Sequence, residues 1–100
     1  MKRAEGNFLM AATTRTLYAD RLFKPDTIAA AIDELAKNGH RHYRVVQEFP
    51  FDLSETLAAQ TLEEWLDREQ FHYVWRDTFL EQDQLRPIIG FKYPELEITW

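Results

Sequence analysis

The residues of this chain with the plainest capacity for chemistry are His40 and His42, spaced i, i+2, with His72 further along. Two side chains at that spacing on a strand share a face. His72 has the same parity in a second alternating run, and Glu48 has it in the first. Were the two runs neighbours, three imidazoles would converge, and three histidines around zinc leave one coordination position open for water or substrate. A simpler reading competes. His40 would lie just past a helix end, where a partly cationic ring suits the negative end of the dipole, and His42 and His72 would face solvent. On that reading no metal ligand, cofactor or catalytic residue is assigned. A metal-dependent enzyme built on the histidines ranks third among the functions considered.

The same strand faces carry a second constellation: His42, Arg44, His72, Arg76 and Lys92, with Val46, Val74 and Ile88 between them. On an acidic chain this is a local basic patch. A fixed arginine pair there would grip phosphate or carboxylate through paired N–H donors. A binder of nucleic acid or another anionic ligand is therefore the alternative reading. The net charge of -5 counts against broad nucleic-acid affinity, which draws on a basic surface. Leu96, Ile98 and Trp100 form a third candidate, an alternating terminal segment suited to edge pairing with another copy or a partner sheet. Nucleophilic catalysis finds little support. Ser54 is the sole serine and sits beside an expected helix cap, and the three glycines form no phosphate-cradling loop.

Elements that would position these residues can be read from periodicity. Phe71, Tyr73 and Trp75 alternate with His72, Val74 and Arg76, and Tyr43, Val45 and Phe49 alternate with His42, Arg44 and Glu48. Period two marks half-buried strands with an aromatic inner face. A further strand is expected from Arg86 to Tyr93. Its parity then switches at Pro94, through a bulge or a separate fifth strand. Lys24-Pro25-Asp26 opens a helix whose apolar stripe is Ile28, Ala31, Ile32, Leu35 and Ala36, with Gly39 ending it. Asp52-Leu53-Ser54-Glu55 reads as a capping box before a second helix with the stripe Leu57, Ala58, Leu62, Trp65 and Leu66. The mixture of Thr, Arg, Tyr and Leu from Thr13 to Phe23 predicts a first strand. Residues 1–11 show no periodicity and are expected to be disordered, with Met10 an alternative start.

The expected fold is α+β, a two-layer sandwich. Its four-stranded mixed sheet, in the order β-α-β-α-β-β, has both helices on one face, and residues 12–100 form a single domain. Leu17, Phe49, Ile89 and Phe91 are among its expected core residues. No run approaches the roughly 20 apolar residues of a membrane span, and the absence of cysteine suits a reducing cytoplasm. The function expected first is a small, non-enzymatic cytoplasmic module that recognises a protein partner of unknown identity. It would do so through the open sheet face (His42, Arg44, His72, Arg76, Lys92) or the C-terminal edge (Leu96, Ile98, Trp100), with a homodimer as the favoured assembly.

Overall fold

A computed structural model describes residues 2–79 and 92–100. Three helices and three strands follow in the order α1 (Arg3–Leu22), α2 (Pro25–Lys37), β1 (His42–Val45), α3 (Leu57–Arg68), β2 (His72–Phe79) and β3 (Lys92–Thr99). The fold is mixed α+β. Among the described residues the sheet is three-stranded and antiparallel in the order β1-β3-β2, not a four-stranded mixed sheet. The part of the fourth expected strand from Arg86 to Phe91 lies outside the described residues.

The strand expected at Thr13–Phe23 is overturned. That stretch is the C-terminal part of α1, and residues 3–11, expected to be disordered, form its beginning. Ala4, Phe8, Ala11, Arg15, Tyr18, Ala19 and Leu22 recur at three- and four-residue intervals, which puts them along one helical stripe. Threonine is a weak helix former because its competing hydroxyl favours other local structures. Here the Thr13 and Thr16 hydroxyls each donate to the carbonyl four residues back, Leu9 and Ala12, at 2.9 Å.

Helix α2 matches its sequence signals closely, and α3 keeps its expected stripe except Leu57, which is exposed. Each ends in a left-handed residue, Gly39 at φ 87° and Gln70 at φ 62°. Behind it the chain folds back with His40 N–H on Leu35 O at 3.0 Å and Phe71 N–H on Leu66 O at 2.9 Å. The cap of α3 is Thr56, whose hydroxyl accepts from Ala59 N–H at 3.2 Å. Asp52, expected in that role, instead takes the Ser54 N–H at 3.0 Å in a turn ahead of the helix. Ile28 and Ile32 of α2 and Ala59, Leu62 and Leu66 of α3 join Tyr18, Ala19 and Phe23 over the inner sheet face at Val45, Leu96 and Ile98. Phe23 meets Trp75 edge to face at 5.7 Å, and the Trp75 indole N–H donates to Glu63 at 3.3 Å. Leu17 and Phe49, expected in the core, are exposed.

The sheet register explains where β1 stops. Val45 pairs with Leu96, so continuing the ladder would set Val46 opposite Glu95 and Gln47 opposite Pro94, which has no N–H to give. The chain leaves the ladder there, and Gln47 N–H is taken by the Glu95 carboxylate at 2.8 Å. No residue is inserted at Pro94. The pairing with β2 runs unbroken from Thr99 to Lys92, so the bulge and the fifth strand are both corrected to one continuous strand. Glu95 is only 2% exposed although its parity places it on the outer face. Replacing it with Ala orphans the buried Gln47 N–H, which alone costs about 1–3 kcal/mol. Breaking the more solvated pair, by removing Arg76 from Glu97, costs less than about 1 kcal/mol. Urea unfolding should therefore give a clearly lower midpoint for Glu95→Ala than for Arg76→Ala. Equal losses would remove Glu95 from this role.

Candidate functional site

The outer face of the sheet holds four of the five residues expected there. Inter-strand pairing sets His42, Thr99 and His72 in one row across β1, β3 and β2, and Arg44, Glu97 and Val74 in the next. Arg76 pairs with Glu95 in the following row. Lys92 is not part of this face. With the register unbroken it has the parity of Leu96 and Ile98, on the helix side.

Each arginine meets a carboxylate from the central strand. Arg76 lies 2.7 Å from Glu97, and Arg44 lies 3.5 Å from Glu95. Glu48, which the parity of the first run set on this face, is exposed and gives its N–H to the Tyr18 hydroxyl at 2.8 Å. The two arginines are balanced by two glutamates the sequence reading had not placed beside them, so the face offers charge pairs and not a bare cationic patch. His42 and His72 are exposed on either side of Thr99, separated by a strand, and His40 precedes β1. Among the described residues no group of three or more His, Asp or Glu is placed to hold a metal ion.

Leu96 and Ile98, expected at an edge, are fully buried in the central strand, which pairs on both sides. Their alternation came from facing the helical layer. Trp100 lies just past the strand and is half-buried. Its N–H donates to Arg41 O at 3.1 Å, its carbonyl accepts from Arg41 Nε at 3.0 Å, and its ring meets Phe71 edge to face at 6.3 Å. This segment is tucked onto its own domain.

Three tyrosines have phenols held above the usual 10.0. Burial is the cause for Tyr43. For Tyr73 burial leads, followed by a hydrogen bond to Asp67, and for Tyr93 burial leads, followed by the Glu95 charge, with Arg44 opposing.

The surface that sequence reading missed lies on α1. The stripe docked on the domain at Tyr18, Ala19 and Leu22 continues toward the N-terminus through Arg15, Ala12, Ala11, Phe8 and Ala4. There it has no cover: apart from Gly6, every residue from 2 to 17 is exposed, and Phe8 is 72% exposed. Leu9, next to Phe8, is exposed as well. Phe8, Ala11, Ala12 and Arg15 form one wall of a cleft of about 460 Å³ whose other wall includes Asp52 and Glu55. The Arg15 guanidinium lies 5.0 Å from the centre of the Phe51 ring, and Phe51 in turn stacks on Phe49. The signal was present in the sequence as the i, i+3, i+4 spacing of Ala4, Phe8, Ala11, Arg15 and Tyr18. β-Branched composition hid it.

No helix among the described residues is long and apolar enough to cross a membrane. No protein-family model, curated protein or solved structure matches the chain.

Two outcomes follow from this geometry. Phenols protonated more tightly in the folded state contribute stability that is complete below pH 10 and lost as pH rises through their folded values. The thermal midpoint should therefore fall as pH increases above 10.0, together with tyrosinate absorbance. A midpoint unchanged to pH 12 would exclude the linkage. Arg76 is exposed, so Arg76→Ala should cost under about 1 kcal/mol, and the difference should close in 1 M salt. A salt-independent loss would show that Arg76 acts by packing.

Proposed function

We propose that the protein is a non-enzymatic interaction module of the cytoplasm that docks a protein partner on the N-terminal half of α1. One observation carries the reading. The stripe that closes the core at Tyr18, Ala19 and Leu22 runs on uncovered through Ala12, Ala11, Phe8 and Ala4, with Leu9 next to Phe8. Scattered apolar residues on a surface need no explanation. A contiguous set beside a cleft is what interaction sites present. Binding through a groove along a helix is a recurrent mode of peptide and helix recognition.

The paired charges on the outer sheet face favour this surface over the one built on Arg44 and Arg76. A partner there would have to compete with Glu95 and Glu97 for the guanidinium groups. The lack of cysteine accords with a reducing compartment.

Affinity capture from the native host, with three baits compared, separates the two surfaces. Wild type and the double variant Arg44→Ala/Arg76→Ala should retain the same partner, and Phe8→Glu should lose it while keeping the wild-type circular dichroism spectrum. Loss in the double arginine variant with retention in Phe8→Glu would move the docking site to the sheet.

A further inference from the structure

Resting on that reading, we infer that the occupant of the α1 stripe is a second copy of the same stripe, running antiparallel about a two-fold axis level with Met10. A two-fold interface uses one patch on both subunits, so the patch must complement itself. This one does when reversed. Glu5 stands at one end and Arg15 at the other, and neither has an ion-pair partner among the described residues. Pairing residue i with residue 20 − i sets Glu5 of each copy level with Arg15 of the other.

The same register sets Phe8 against Ala12 in both directions, a large side chain on a small one. Ala11 lies nearest the axis, where a small residue lets the two backbones approach closely. Helices packed through small residues come within about 8 Å of each other. The cleft beside Ala12 and Arg15 gives the incoming helix room. A parallel pairing would bring Glu5 to Glu5 and Arg15 to Arg15.

Two helical segments of this length cover less than the roughly 800 Å² per partner of a standard interface. An area this small belongs with weak, transient contacts, so the test is run at concentrations up to about 200 µM.

The absence of native cysteine makes the geometry directly testable, because any introduced thiol is the only one present. In this register the two Ala11 positions approach within the roughly 4.4–6.8 Å Cα separation a disulfide spans, whereas the two Leu17 positions lie on the far side of the helices. Sedimentation equilibrium of the wild-type chain should show a monomer–dimer equilibrium, and Phe8→Glu should shift it to monomer by at least ten-fold in dissociation constant. Under mild oxidation Ala11→Cys should form a disulfide-linked dimer at least ten times faster than Leu17→Cys. A wild-type chain monomeric at 200 µM, a dimer indifferent to Phe8→Glu, or faster cross-linking at Leu17 would each overturn self-pairing. If the chain is monomeric but Phe8→Glu still loses its partner in the capture experiment, self-pairing fails and the α1 docking surface stands. If capture is also unaffected by Phe8→Glu, both fail.

Discussion

The buried carboxylate of Glu95 is the interaction on which the sheet depends. It lies on the outer face of the central strand, yet it is sealed from solvent and receives Gln47 N–H at 2.8 Å, the Thr78 hydroxyl at 3.3 Å and Arg44 at 3.5 Å. A charge in such a place is tolerated only with partners of this kind, since an unpaired buried ion costs several kcal/mol. These contacts tie Gln47, the second residue after β1, to the middle of β3 and to the far end of β2. Pro94 beside it closes the ladder to any longer β1. Together they turn the chain out of the sheet at Gln47 and send it toward α1, where Glu48 N–H reaches Tyr18 at 2.8 Å. Gln47 then holds the turn by donating to the carbonyls of Phe49 and Phe51 at 3.2 and 2.9 Å.

This arrangement decides how the sheet face and α1 divide the surface. Because β3 is central and carries Glu95 and Glu97, each arginine from an outer strand finds a carboxylate at its side. The same turn presents Phe49 and Phe51 to α1, with Tyr18 edge to face against both at 5.3 and 6.4 Å and Arg15 over Phe51. The aromatic contacts pin α1 from Arg15 onward and leave the preceding turns exposed along an open cleft. The uncovered stripe is thus a consequence of where the ladder had to stop.

Local pattern made much of the fold legible and left the rest hidden for identifiable reasons. Pro25, the stripe from Ile28 to Leu35 and Gly39 are short-range signals, and α2 follows them closely. The alternation of Tyr43, Val45, Tyr73 and Trp75 against His42, Arg44, Val74 and Arg76 correctly separated covered from exposed faces. Strand order is non-local, so Leu96 and Ile98 had the right parity for burial but could not reveal that their strand is central. Glu95 was unreadable for the same reason: its partners lie 48 and 17 residues away. The misreading of α1 has another cause. Thr13, Thr14 and Thr16 weighed toward a strand, although the spacing from Ala4 to Leu22 is helical throughout.

The unpartnered half of α1 is also the half least able to sustain itself. Gly6 and Asn7 fall within it, and an interior glycine costs about 1 kcal/mol relative to alanine. The N-cap, Lys2, makes no side-chain hydrogen bond to the first turn. A separate segment this short would be marginal in water, because nucleating a helix is costly and few hydrogen bonds repay it. In α1 the nucleus already exists in the turns docked through Tyr18, Ala19 and Leu22, so each preceding residue has only to propagate. The stripe is therefore presented in helical form before anything binds to it. A partner then meets less of the ordering cost that a disordered segment imposes on association. A small buried area can suffice for a reversible contact under those terms, and packing against Phe8 and Ala11 would in turn reinforce the turns that propensity leaves weakest.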